Sequence, residues 1–356
     1  MIENPAVARA RELVLAYGWN STSFQIVNPG IKRWFSDKCD AVVGYMPAAG
    51  FRIVAGAPVC PLDNLAEVID AFESDARRCH QKVCYFCAET RLEEAVRDGN
   101  SHTKFLLGAQ PTWDPHNWPR IVAGQKSLRA QLNRARNKGV HVTEFEPVKA
   151  HADRRLDECL HQWLATKGLP PLHFLVEPET LNRLENRRIF VAERDAEVVG
   201  FVTLSPVAER QGWLFEQFPH RPGAPNGTVE FMIDSAMRSI AADGCDYATL
   251  GLAPLSRRAE VEPFHNPLWL DLVLAWIRKH GQRFYNFDGL DAFKAKLRPD
   301  QWEPVFAVSN ESQVSFRTLY AIASAFSGNA PFRLVSGALV KAAATEIKWL
   351  RKRIAA

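Results

Sequence analysis

Short apolar runs alternate along this chain with stretches whose apolar residues recur at helical spacing. Residues 41–45 and 51–55 read as paired strands around Pro47 and Gly50. Residues 65–79 follow as a helix with Leu65, Val68, Ile69 and Phe72 on one face. Residues 82–88 form the next strand, 92–98 a short helix ended by Gly99, and 111–119 a turn-rich segment carrying Trp113 and Trp118. The second half has the same rhythm. A helix over 153–166 is stopped by Gly168 and Pro170, and 188–193 pairs with 197–204 across Arg194-Asp195-Ala196. A strand at 213–218 then leads to a helix at 229–242, with Val229, Met232, Ile233, Ala236, Met237 and Ile240 on its apolar face. Gly244 ends that helix, and 247–252 is a strand. The alternation predicts an α/β (α+β) protein with mixed sheets. Two successive units of similar length predict a duplicated fold: 1–148, 149–310, and a tail at 311–356.

Bulk properties narrow the function. The 356 residues are 47% apolar and carry a net charge of only +4, so any affinity for nucleic acid must come from local patches. The first fifteen residues lack the apolar core of a secretory signal, and no run of about eighteen apolar residues predicts a spanning helix. The seven cysteines are scattered and odd in number, which fits a reducing cytoplasm. Cys79, Cys84 and Cys87 have a spacing that suits an iron–sulfur cluster, but the apolar run around Cys84 and Cys87 favours a buried strand. Motifs for nucleotide hydrolysis, zinc proteolysis and serine-hydrolase chemistry are absent.

Four stretches carry candidate chemistry. The first is the turn Arg221-Pro-Gly-Ala-Pro-Asn-Gly227 before the 229–242 helix, with Arg221, Asn226 and Gly227 as ligand-facing residues. Glycines admit a ligand close to the backbone, and free N–H groups of a first helical turn attract anions. Glu230 lies in that first turn, where it also complements the helix dipole. The second is 286–298, where Asp288 and Gly289 precede Lys294, Lys296 and Arg298, cations suited to phosphate or to a solvated charged face. The third is 126–139, a predicted helix with Lys126, Arg129, Arg134, Arg136 and Lys138 and no acid; a stripe of that kind contacts RNA phosphates, lipid headgroups or water. The fourth is the tail, where Val335, Leu339, Ala343, Ile347, Leu350 and Ile354 recur at helical spacing beside Lys341, Lys348 and Lys352. From Glu311 onward, seven Lys/Arg face two Asp/Glu, the pattern of a helix lying on an anionic membrane or docked on its own protein.

Several of these pieces resemble one family, over about residues 10–310. They are Ala224-Pro-Asn-Gly227 with Glu230; Leu250-Gly-Leu-Ala-Pro-Leu-Ser256; and Phe284-Tyr-Asn-Phe-Asp-Gly-Leu290 leading through Lys294 and Lys296 to Pro299-Asp-Gln-Trp-Glu-Pro304. Asn133, Arg136 and Gly139 match a basic element of the same family. The chain resembles the cytoplasmic catalytic domain of the aminoacyl-phosphatidylglycerol synthases, the lysyl- and alanyl-phosphatidylglycerol synthase or multiple peptide resistance factor family. The resemblance implies two tandem GNAT-like acyltransferase domains, to which the apolar spacing of the tail adds a C-terminal amphipathic helix. It implies transfer of an aminoacyl group from aminoacyl-tRNA to a hydroxyl of phosphatidylglycerol or a related lipid, with no further cofactor, at the cytoplasmic face of the membrane. Arg129, Arg134, Arg136 and Lys138 then meet tRNA or lipid phosphate, and the C-terminal helix meets anionic phospholipid.

Two departures stand out. The membrane-spanning region that usually precedes the domain is missing. The family's Asp-x-x-Arg-His stretch reads Glu216-Gln-Phe-Pro-His220, with Pro219 in place of the arginine and Arg221 as its candidate substitute. The expected catalytic groups are Glu216 and His220, taking the acceptor's proton, with Glu230 in the helix turn nearby. Transfer from aminoacyl-tRNA or acyl-coenzyme A to a soluble acceptor, and a non-catalytic GNAT-like binding protein, remain the alternatives.

Overall fold

The alternation closes into one mixed sheet. The structure is a computed structural model that describes residues 4–97, 102–167, 174–179, 181–259, 266–281 and 286–327. Helix α1 (Pro5–Tyr17) leads through a buried 3-10 turn, Ser23–Val27, to β1 (Lys32–Phe35), β2 (Val42–Ala48) and β3 (Phe51–Ala55). Helix α2 (Leu65–Arg78) crosses to β4 (Lys82–Ala88), and α3 (Thr90–Val96) precedes the long β5 (Thr103–Trp113). Then come α4 (Trp118–Gly124), α5 (Lys126–Asn137), β6 (His141–Phe145), α6 (Pro147–Ala152) and α7 (Arg154–Ala165). The second half continues with β7 (Arg188–Arg194), β8 (Glu197–Val207), β9 (Gly212–Gln217), α8 (Thr228–Ala242), β10 (Tyr247–Thr249) and β11 (Ala253–Pro254). It ends with α9 (Leu268–Gly281), α10 (Phe287–Lys296), β12 (Gln301–Ser309) and α11 (Phe316–Phe326).

Among the described residues the sheet runs β1-β2-β3-β4-β12-β5-β10-β9-β8-β7-β6, with β11 also beside β5. Both halves share a plan. An antiparallel meander ends in a strand whose following helix returns the chain to a parallel neighbour: β3 to β4 through α2, and β9 to β10 through α8. Parallel pairing requires such a crossover. The predicted duplication is therefore present as a repeated strand–helix–strand plan.

The two halves are not separable at residue 148. Strand β5 of the first half pairs with β10 of the second, and β12 of the second half pairs with β4 of the first. The exchanged strands pair with each other from Gln301↔Thr112 to Ser309↔Thr103. The segment from Trp113 through Val140 packs with α8 and β8 in one core, so the expected division cuts through shared packing. Strand alternation splits the other apolar residues between the sheet's faces. Phe51, Ile53 and Ala55 join the core with α1 and α11, while Val54, Val83 and Tyr85 join the core under α2. Ile189 and Val191 pack with α7, and Phe190 and Ala192 with α8. Helix α11 packs on β2 and β3, so the start of the expected tail belongs to the first half's core. The predicted basic helix at 333–354 lies outside the described residues.

A polar brace ties the exchanged strands. Arg210 donates to Glu89 at the end of β4 at 3.3 Å and to Glu303 of β12 at 2.9 and 2.5 Å, and it stacks on Tyr247 of β10 at 3.7 Å. Burial holds the Glu89 carboxyl above its ordinary value, opposed by Arg210. Cys84 and Cys87 are buried in β4, where burial pushes their thiols up, while Cys79 is exposed at the end of α2. Because the halves share exchanged strands and further contacts such as Gln25 to Glu216, unfolding is expected to be a single transition. Tryptophan fluorescence and far-ultraviolet circular dichroism should give coincident urea midpoints, and a fragment spanning 149–310 should show no cooperative transition; two separated midpoints would refute this.

Candidate active site

The site forms where β9 and β10 part. They pair only from Gly212↔Tyr247 to Leu214↔Thr249; β9 then runs on to Gln217 while the chain after Thr249 leaves the sheet. It rejoins β5 at Ala253↔Ala109. The cause lies in β5. Gln110 and Pro111 face the gap, and Pro111 has no N–H to offer a neighbouring strand. The freed carbonyls of Leu250, Gly251 and Leu252 instead accept from Lys294 Nζ at 2.8, 2.8 and 2.9 Å. A lysine on α10 thus replaces a stretch of sheet.

This use of Lys294 differs from the expected phosphate contact. Its side chain is buried, and all three ammonium donors are spent on backbone. Burial pulls its ammonium down to about 7, against an opposing pull from Asp291. Asp291 in turn receives Ser256 Oγ at 2.6 Å and Arg258 Nε at 2.8 Å, holding the segment after β11 against α10. Lys296 points elsewhere: it pairs with Glu230 in the first turn of α8 at 2.8 Å. Asn286 caps α10 by accepting from Gly289 N, Asp288 stands exposed in that helix's first turn, and Arg298 sits exposed in a left-handed conformation just past its end. Phe284 and Tyr285 at the start of that motif lie outside the described residues.

The glycine turn is also used differently. Gly227 has φ +94°, and a Cβ there would lie 2.1 Å from the Gln131 carbonyl oxygen. The missing side chain admits the backbone of α5 against the start of α8, not a ligand. Asn226 is exposed beside it. Arg221 turns to Glu197 at the start of β8 and to Glu158 on α7, at 3.3 and 3.4 Å. On α5, Arg136 reaches the buried Asp234 at 3.2 Å and lies over Phe231, and Arg129 caps the end of α4 through the Val122 and Ala123 carbonyls. These two residues brace helices; Arg134 and Lys138 remain on the exposed face.

Glu216 and His220 occupy the β9 wall. Glu216 is 5% exposed and pairs with Arg187, 1% exposed, at 3.1 Å. It also accepts from Gln25 Nε2 at 2.8 Å and Thr203 Oγ1 at 3.2 Å, so three donors hold the carboxylate, the single Arg187 Nε–H being shared by both oxygens. Gln25 comes from the buried 3-10 turn of the first half, which carries Phe24 under the Arg187 guanidinium at 4.8 Å. His220 follows β9, bridged to Gly200 of β8, and its Nδ1 donates to the Phe218 carbonyl at 2.8 Å. That bond fixes the neutral ring with its lone pair on Nε2. Among the described residues no hydrogen bond joins Glu216 to His220. Arg187, Gln25 and Asp291 are the site residues that sequence reasoning missed; each owes its role to a partner far along the chain, which no local spacing signals.

A family profile described as "Phosphatidylglycerol lysyltransferase, C-terminal" matches residues 11–309. The chain belongs to that family. Phosphatidylglycerol lysyltransferase of Bacillus subtilis (strain 168) is 22% identical over 296 residues, which cover 82% of this chain and 34% of that protein; the chain thus spans about a third of that relative. The C-terminal domain of a putative lysylphosphatidylglycerol synthetase from Agrobacterium fabrum has the same fold, with a TM-score of 0.76, 22% identity and coverage of 91% of this chain and 98% of that one. L-PGS from Bacillus licheniformis gives 0.73 at 20% identity, covering 90% and 95%. Among the described residues no helix is long and apolar enough to cross a membrane.

Three outcomes follow from these contacts. Gly227→Ala should destabilise the chain by about 2–4 kcal/mol in urea unfolding, through left-handed strain and the clash with α5. Glu216→Gln should cost about 3–5 kcal/mol because it leaves Arg187 buried and uncompensated. For Lys294 the folded value lies below the unfolded 10.5, so above pH 7 the unfolded chain holds a proton that the folded chain has released. Stability relative to Lys294→Met should therefore rise from pH 7 towards 10.5, by up to about 1.4 kcal/mol per pH unit, and be flat below pH 7. A difference that stays flat across this window would show the lysine staying charged.

Proposed function

We propose that this chain is an aminoacyltransferase that moves an aminoacyl group from aminoacyl-tRNA to a hydroxyl of phosphatidylglycerol. The observation that carries this reading is the family match over residues 11–309, and the wedge at the ends of β9 and β10 supplies a place for the chemistry. The donor ester is already activated, so the protein's task is to position the acceptor, remove its proton and exclude water, with no further cofactor. His220 is the better base of the two expected residues. Its Nε2 lone pair is set by the Nδ1 bond to Phe218, whereas Glu216 is held in an ion pair with Arg187 and bonded by Gln25 and Thr203. Glu216 acts as a positioning residue through Arg187 and the 3-10 turn. The hydroxyl proton passes to Nε2, the alkoxide attacks the ester carbonyl, and the tRNA 3′ oxygen leaves with a proton returned from the ring. Exposed Arg134 and Lys138 on α5 suit the phosphates of the donor's acceptor stem. Membrane contact is at the surface and peripheral.

Incubation of the purified chain with radiolabelled aminoacyl-tRNAs and phosphatidylglycerol vesicles, followed by lipid chromatography, tests the reaction. Label should move to the lipid, and His220→Asn should lower turnover by about two to four orders of magnitude with little change in thermal stability. Label appearing on a water-soluble acceptor instead would favour the soluble-acceptor reading. No transfer from any aminoacyl-tRNA would refute the proposal.

A further inference from the structure

The surroundings of the Arg187–Glu216 pair carry more positive charge than they balance. Three guanidiniums converge on the end of the 3-10 turn. Arg183 Nη1 donates to the Val27 carbonyl at 3.4 Å, Arg33 Nη2 to the Asn28 carbonyl at 3.1 Å, and Arg187 Nη2 to Asn28 Oδ1 at 2.9 Å. Arg33 comes from β1 in the first half; Arg183 and Arg187 come from the approach to β7 in the second. Glu216 pairs with Arg187, and among the described residues neither Arg33 nor Arg183 has a salt bridge. The Arg33 Nε is buried without any acceptor. Burial and the neighbouring Arg183 together hold the Arg33 guanidinium below its ordinary value. Two half-buried like charges held on adjacent carbonyls are unfavourable alone and become favourable around an anion.

We propose that Arg33 and Arg183, backed by Arg187, form a binding site for a phosphate group at the junction of the two halves. The guanidinium fork matches phosphate oxygens with paired N–H donors, and the orphaned Nε of Arg33 supplies one of them. Arg187 links the site to Glu216 of β9, since it bonds both Asn28 and that carboxylate. Identifying that phosphate with the phosphodiester of the acceptor lipid rests on the transferase reading above; the anion site itself does not.

Calorimetric titration of the full chain in phosphate-free buffer tests it, with inorganic phosphate and with glycerophosphoglycerol, the headgroup without acyl chains. Both should bind wild type, the headgroup more tightly, and Arg33→Gln and Arg183→Gln should each weaken binding by about tenfold or more. Arg33→Lys should keep part of it. Thermal unfolding without ligand separates a binding role from a structural one: Arg33→Gln should leave Tm unchanged or raise it, because repulsion with Arg183 is relieved. Phosphate should raise the Tm of wild type and not of Arg33→Gln. Absence of binding by both compounds, unaltered binding in both variants, or a lowered unliganded Tm with binding kept would each overturn the site. Binding of inorganic phosphate alone would keep the site and remove the lipid assignment. Binding with no aminoacyl transfer by wild type would sink the transferase reading and spare the site. Transfer with an unchanged KM for lipid in both variants would spare the transferase reading and remove the lipid assignment.

Discussion

The hydrogen bonds between β5 and β12 are the constraint on which the molecule depends. Each strand closes the sheet of the half it does not come from, so neither half has a complete core of its own. Strand exchange also decides where the sheet stays closed and where it opens. β5 must serve β12 on one side and both β10 and β11 on the other, and its proline interrupts the second task. The excursion at 250–252, the lysine that satisfies it and the wedge beside β9 all follow from that interruption.

Most buried polar groups around the wedge are paired, with the Tyr247 hydroxyl and Arg221 Nε as exceptions. Glu216 has three donors, Asp234 is held by Trp118, Arg136 and Arg238, and the Lys294 ammonium spends its protons on three carbonyls. Such groups maintain shape, since breaking any one pair strands its partner in a poorly solvated place. The groups with capacity left over stand out for that reason. Among them are the Nε2 of His220 and the Nε of Arg33. Chemistry and recognition fall to residues that structure has not already used.

Much of the fold was legible because it is local. The helices α2 and α8 bury the apolar faces read from their spacing, and the hairpin β7–β8 turns at Asp195 and Ala196, both with positive φ. The exchanged strands were not legible. β5 holds Gly108 and Pro111, β12 holds Pro304, and prolines in a run argue against a central strand. They are tolerated because the ladder shifts register between Val305 and Phe306 and because the β10–β11 gap spares Pro111 a partner. The same gap explains the site. A Lys-Ala-Lys pair after a turn looks like a phosphate cradle, but the gap turns Lys294 inward, and α8 claims Lys296. Gly227 was read rightly as a place of close approach and wrongly as to what approaches, because the partner helix α5 lies about a hundred residues earlier.

Strand exchange has a consequence for how the polypeptide is made. Synthesis delivers β4 long before β12, so a nascent chain holds an unfinished edge until residue 309 has left the ribosome. Throughout that interval β4 presents bare backbone donors and acceptors beside the apolar Val83 and Tyr85. The hazard is greatest where β5, already emerged, pairs with β4 in the place reserved for β12 and has to be displaced later. A topology that welds the finished protein into one body therefore postpones its closure almost to the last translated strand.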